Sequence, residues 1–238
     1  MKSRMQSYAE FKLLLGDEKR QSDPVFCRYI IRPLSFPIGW VLYKFGLTAN
    51  SISLISIFLA ILASALIVNG NTDDVITASL LMLTVALTDC IDGNVARARQ
   101  ETGPGGEWMD ALSGYTVYAL LPFALGIHIH LSDPHTSYYG TWIIVGASTS
   151  VSNLYLRLLY QKFIVSIGEK SENSDIKGRN SLFSKLSSEL GLVGWMMPAF
   201  VFAATLGILE VYLALYSLFY GLSAVVVAIF LARRIVKQ

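Results

Sequence analysis

The sequence predicts an all-α integral membrane protein: six transmembrane helices, an N-terminal amphipathic interfacial segment, and both termini cytoplasmic. Three observations carry that expectation. The 238-residue chain is 53% hydrophobic and 15% charged, where soluble domains carry about a quarter charged residues. Its apolar residues gather in six blocks, near 47–69, 75–97, 107–130, 138–162, 191–208 and 210–232. Each is at or close to the roughly 20 helical residues that cross a 30 Å hydrocarbon core. The 19 Lys and Arg fall in four places only: eight within 1–46, two within 97–106, six within 157–190 and three from Arg233 onward. The alternate connections (70–74, 128–140 and 207–211) hold none. Cytoplasmic loops are enriched in these cations, which puts both ends on the cytoplasmic side and requires an even number of spans.

In chain order, residues 1–27 are polar and read as short helix and loop, without the short apolar core of a cleaved signal peptide. Arg28 to Lys44 mixes Ile30, Ile31, Leu34, Phe36, Ile38, Trp40 and Leu42 with Arg28, Arg32 and Lys44, with Pro33 and Pro37 expected to break the run. It reads as a bent amphipathic segment in the lipid headgroup region; a soluble cap on the bundle is the competing account. Thr48 or Asn50 is available to cap the first span, and Gly70 to Asp74 closes it. Trp108 and Trp142 fall at predicted helix ends, as interfacial anchors do. Residues 166–188 form the one sizeable polar loop. No connection is long enough for a second soluble domain, so the chain divides into an interfacial segment, 1–46, and a membrane domain, 47–238.

Cys27 and Cys90 lack metal-ligand spacing, and a disulfide is not expected in a reducing compartment; both read as structural. His128, His130 and His135 cluster on the outer side and read as hydrated surface histidines rather than a metal site.

The chemistry is concentrated in Thr88 to Gly114, TDCIDGNVARARQETGPGGEWMDALSG. Ionisable residues within membrane helices are costly and mark function, and here there are three: Asp89, Asp92 and Asp110. Asp89 and Asp92 are spaced i,i+3, on one helix face. If their helix starts near Val75, Asp89 lies about 21 Å along it. The next helix runs back from about Glu107, which brings Asp110 to a similar depth. Three converging carboxylates repel unless a divalent cation joins them, and an all-oxygen donor set suits Mg²⁺ or Mn²⁺. Gly93 and Ala96 share the Asp92 face and leave a floor poor in side chains, where a base or diphosphate can approach the backbone. Arg97 can meet a phosphate or hold a carboxylate, and Gly103 to Gly106 gives an open turn into the next helix.

This run resembles the signature of the CDP-alcohol phosphotransferases, D-x2-D-G-x2-A-R-x8-G-x3-D-x3-D, at Asp89, Asp92, Gly93, Ala96, Arg97, Gly106 and Asp110. The six-helix plan, the amphipathic N-terminal segment and the L-T-A-N turn extend the likeness. The resemblance implies transfer of a substituted phosphate from a CDP-alcohol donor to an alcohol or lipid acceptor, with release of CMP, in phospholipid or related phosphodiester synthesis. It further implies a site at the cytoplasmic face of a cytoplasmic or inner membrane, contact with membrane lipid, no nucleic-acid partner, and a homodimer. Asp89, Asp92 and Asp110 are then the metal ligands and catalytic acids.

One position departs. Where the signature ends in Asp, this chain has Gly114, the place of a metal ligand and the presumed general base in the family. A general base contributes typically 10²–10⁴-fold in rate. Glu107 lies on the same i, i+3, i+7 stripe as Asp110 and Gly114, about 10 Å nearer the cytoplasm than position 114. It suits a nucleotide contact or a repositioned base, or is a solvated carboxylate at a helix N-terminus. Water, the acceptor's own phosphate, or a cleft widened beside Tyr115 and Tyr118 are further accounts of the gap. So is a relative that binds a CDP-alcohol without turning it over. Arg157, after Ser148, Thr149, Ser150, Ser152 and Asn153, fits either phosphate binding or snorkelling; small polar residues also serve helix–helix hydrogen bonds. Lys177 and Arg179 are weaker phosphate candidates. A cation-coupled transporter and a UbiA-type prenyltransferase also use intramembrane acids, but the first does not require this spacing and the second has two Asp-rich motifs.

Overall fold

The computed structural model describes residues 7–132, 140–167 and 188–236. The described residues are helical, with no strand. Two short helices, α1 (Tyr8–Leu13) and α2 (Asp17–Ser22), precede a wide turn at Cys27–Ile31, where the Arg32 N–H bonds back five residues to the Cys27 carbonyl. α3 (Arg32–Lys44) follows directly. The break expected at Pro33 and Pro37 does not occur. Pro33 lies in the first turn, where a missing N–H costs nothing, and the helix runs through Pro37 to Lys44. α3 is two-sided: Ile31, Phe36 and Gly39 are buried while Tyr29, Leu34, Val41 and Phe45 around and along it are exposed.

The remaining helices fall on the six apolar blocks: α4 (Ala49–Asn69), α5 (Thr72–Arg99), α6 (Pro104–Ser132), α7 (Thr141–Ile167), α8 (Met197–Leu206) and α9 (Leu209–Val236). Thr48, rather than Asn50, caps α4, its hydroxyl accepting from the Ser51 N–H at 3.2 Å. Asn71 and Asp74 form a reciprocal cap at the start of α5. α5 ends on Gln100 in the left-handed region (φ 58°), and Pro104 opens α6.

Four of these helices, α4, α5, α6 and α9, are long and apolar enough to cross a membrane. α7 is long enough at 27 residues but is diluted by Ser148, Thr149, Ser150, Ser152, Asn153 and Arg157. The fifth apolar block becomes a wide turn, Leu192–Met196, running into α8. Its 15 apolar helical residues, Leu192–Leu206, rise only about 22 Å. His135, Lys177, Arg179 and most of the 166–188 loop lie outside the described residues.

α4, α5 and α6 pack together through small residues. The buried face of α4 (Ile52, Ser53, Ser56, Ala60, Ala63, Ser64, Ile67) repeats at three and four, the helical period. α6 and α7 approach closest where Gly126 and Gly146 face each other, as small residues allow. A Cβ on Gly126 would sit 2.4 Å from the Trp142 carbonyl oxygen, and one on Gly146 at 2.4 Å from that of Pro122. Trp142 packs half-buried against the main core, whereas Trp108 is exposed. A second core (Phe11, Leu15, Phe36, Ile52, Ile91, Val95) and a third (Cys27, Ile31, Cys90) fasten the N-terminal helices to the end of α5. The Cys27 and Cys90 sulfurs are 3.5 Å apart and fully buried. The N-terminal segment is thus clamped to the helix that carries Asp89 and Asp92.

Candidate active site

α5 places Asp89, about 26 Å from the helix start at Thr72, and Asp92 on one face. α6 brings Asp110 back beside them. All three line a cavity of about 290 Å³ with Gly93, Ala96, Arg97, Gly106 and Glu107. Its remaining wall comes from the N-terminal segment and α4 (Lys19, Arg32, Ala49, Asn50 and Ser53) and from the loop between α5 and α6 (Glu101, Thr102 and Gly103). Asp89 and Asp110 also line a larger cavity of about 640 Å³, with Gly114, Tyr115, Tyr118, Arg157 and Tyr160, and an apolar side that includes Leu156, Val227 and Leu231. The two carboxylates therefore stand where two cavities meet. Asp92 faces only the smaller one, and so does Glu107.

Local chemistry fixes these groups unequally. Asp92 is buried and accepts from the Ser53 hydroxyl at 2.7 Å. Arg97 folds back over Gly93, where a Cβ would lie in ordinary contact with the guanidinium, 3.5 Å from Nη1. Its Nη2 donates to Asn94 Oδ1 at 2.7 Å. Gly106 is held close to the loop, a Cβ there lying 3.1 Å from the Glu101 carbonyl oxygen, while Gly103 and Gly105 face open space. At Gly114 a Cβ would meet nothing nearer than Tyr118 Cε2 at 4.0 Å, so the space of the signature's last Asp is open and continuous with the larger cavity. Arg157 lies over the Tyr118 ring, 3.7 Å from its centre, and its Nε is buried without a hydrogen-bond partner. Tyr118 is held in turn, its hydroxyl accepting from the Leu192 N–H at 2.9 Å.

Among the described residues none of the three aspartates forms an ion pair, and no group of three or more His, Cys, Asp or Glu is close enough together to hold a metal ion. In donor chemistry three carboxylates lining one cavity suit a hard divalent cation, with no Lys or Arg at ion-pair distance from them. His128 is on the last turns of α6, next to Ser132, and belongs to no such cluster.

Sequence reasoning passed over Ser53, Asn94, Asp23 and Lys19, and saw Arg32 only as a headgroup cation. Ser53 and Ser56, polar residues at i,i+3 on the inner face of an otherwise apolar helix, were a readable signal. Asn94, inside the signature but at one of its free positions, gave none.

Fold and site together define a helical membrane protein in which two acidic residues, Asp89 and Asp110, stand between two cavities. The sequence pattern of the CDP-alcohol phosphatidyltransferase family matches residues 46–175, more than half of the chain, and the protein belongs to that family. No curated protein matches the chain.

Proposed function

We propose that the protein is a membrane CDP-alcohol phosphotransferase, which moves a substituted phosphate from a CDP-alcohol to an alcohol acceptor and releases CMP, in phospholipid or related phosphodiester synthesis. The supporting observation is the position of Asp89 and Asp110 at the meeting of two cavities. A group transfer between two substrates needs such a junction, because both must present their reacting atoms to the same groups. In this reading the smaller cavity takes the cytidine nucleotide, with Gly93, Ala96 and Gly106 admitting the diphosphate to the backbone and Arg97 opposing its charge. The larger cavity takes the acceptor: Arg157 offers a cation to an anionic headgroup, and the apolar wall suits a lipid chain.

The acceptor oxygen attacks the phosphorus that bears the donor's alcohol, and the bridging P–O bond to CMP breaks. Asp89 and Asp110 face the acceptor cavity and are the carboxylates placed to take the hydroxyl proton; Glu107 faces only the nucleotide side and suits a contact there. Asp89, Asp92 and Asp110 would hold Mg²⁺ or Mn²⁺, which when bound supplies positive charge against the diphosphate and the leaving CMP. The wider topology belongs to the same proposal: six spans with α7 and α8 among them, both termini and the site on the cytoplasmic face of a cytoplasmic or inner membrane, and a homodimer.

Gly114 favours a second reading, a protein that binds a CDP-alcohol without turnover, because the place of the signature's last acid is open space. One experiment separates the two. Purified protein with Mg²⁺ or Mn²⁺ is offered a panel of CDP-alcohols and acceptors, and CMP release is measured. Turnover by the unmodified chain, lost in the double variant Asp89→Asn, Asp92→Asn, is the expected result. Cation-dependent nucleotide binding without CMP release across the panel supports the second reading, and undiminished release by the double variant removes the mechanism.

A further inference from the structure

Two guanidiniums share one amide oxygen at the wall of the smaller cavity. Asn94 Oδ1 accepts from Arg97 Nη2 at 2.7 Å and, more weakly, from Arg32 Nη1 at 3.4 Å. The other end of the Asn94 amide donates to Ser35 Oγ at 2.9 Å, and the Ser35 hydroxyl donates to the Arg32 carbonyl at 2.9 Å. Asp23 grips Arg32 from behind, with Nε to Oδ2 at 2.7 Å and Nη2 to Oδ1 at 3.1 Å. Asp23, Arg32, Ser35 and Asn94 are each at most 5% exposed. The network is closed, buried, and spans from the N-terminal segment to α5.

Its charges do not balance. Lys19 is also within 3.5 Å of Asp23, so one carboxylate serves Lys19 and Arg32. Among the described residues Arg97 has no carboxylate at ion-pair distance. Lys19, Arg32 and Arg97 all line the smaller cavity, and none of its acids (Asp89, Asp92, Glu101, Glu107, Asp110) forms an ion pair with them. An amide at position 94 holds Arg97 without cancelling its charge; a carboxylate of the same shape would cancel it. A buried, hydrogen-bonded cation kept free of a protein anion suits an anionic ligand.

We infer that Asn94 is a positioning residue for phosphate: it holds the Arg97 guanidinium over Gly93, and the N-terminal pair Asp23–Arg32 holds Asn94 in turn. This rests on the nucleotide reading of the smaller cavity. It makes the segment before residue 46 part of the site, although the family pattern begins only there.

The test compares cytidine 5′-diphosphate with cytidine, titrated by calorimetry against the full-length protein in detergent micelles with Mn²⁺. The wild-type chain is expected to prefer the diphosphate. Asn94→Ala is expected to weaken diphosphate binding about tenfold or more, the scale of one charge-assisted hydrogen bond, and to leave cytidine binding unchanged. Asn94→Asp gives both guanidiniums a carboxylate at the cost of the amide's donation to Ser35; it is expected to fold and to bind cytidine as the wild type does, yet to lose the preference for the diphosphate. A purely structural asparagine cannot give that opposition. If Asn94→Ala does not fold, Asn94→Asp decides. A wild-type preference that survives in Asn94→Asp overturns the inference alone; a wild-type chain without any preference overturns the nucleotide reading and the inference with it.

Discussion

Ser53→Ala isolates the contribution of one hydroxyl to the acidic site. Ser53 is 3% exposed and Asp92 4%, and the Ser53 hydroxyl is the one side-chain partner of Asp92 among the described residues, at 2.7 Å. The same hydroxyl lies 3.2 Å from the Ala49 carbonyl, so its removal leaves no clash and strips Asp92 of its donor. A hydrogen bond to a charged group contributes about 1.5–3 kcal/mol. If Asp92 acts as an ionised cation ligand, that loss corresponds to roughly 10–150-fold in divalent-ion affinity. The assay is Mn²⁺ titration of the purified chain, followed by the rise in melting temperature and by calorimetry. Ser53→Thr, which keeps the hydroxyl, is expected to retain most of the affinity. An unchanged Mn²⁺ affinity in Ser53→Ala would refute the reasoning, because the ion would then be indifferent to the state of Asp92.

The closest helix contact predicts a loss of stability. Gly146→Ala places a methyl group 2.4 Å from the Pro122 carbonyl oxygen and must push α6 from α7, at a cost of about 1–3 kcal/mol for overpacking; a melting temperature equal to the wild type would contradict the packing described. Gly114→Asp meets no such obstacle, its Cβ having only Tyr118 Cε2 at 4.0 Å. It is expected to fold normally and to raise cation-dependent CMP release to a small acceptor, by up to about 10²–10⁴-fold, the usual worth of a general base. A fall in CMP release would mean that the open space is needed by the acceptor.

What the sequence made legible followed from strong, local signals. The six apolar blocks became six helices because long apolar runs have few other ways to satisfy their backbone in lipid. Asp89, Asp92 and Asp110 could be placed at one level because helix rise and antiparallel connection fix depth. Two features escaped. The prolines of α3 suggested a break, but Pro33 occupies a turn that needs no N–H, and α3 runs past Pro37 with Phe36 packed in one cluster with Phe11 and Ile91. The second missed feature was the docking of Lys19, Asp23 and Arg32 beside α5. No periodicity encodes that contact, because it joins residues about sixty positions apart through side chains that look like ordinary solvated charges.

That docking changes what the acidic motif needs. The smaller cavity is lined both by carboxylates without an ion pair (Asp89, Asp92, Asp110) and by the Arg97 guanidinium without one, so its charges stay separated. The separation is unfavourable in a poorly hydrated site unless ions of both signs enter. A divalent cation alone would answer the acids and leave Arg97 without an anion, and a free phosphate would do the reverse. A metal-bound diphosphate answers both charges at once, and its two components should bind cooperatively rather than independently. The N-terminal segment, from outside the signature, helps hold the cationic half of that requirement in place through Arg32 and Asn94. A chain with intact aspartates but a displaced segment should therefore bind the cation without the nucleotide preference.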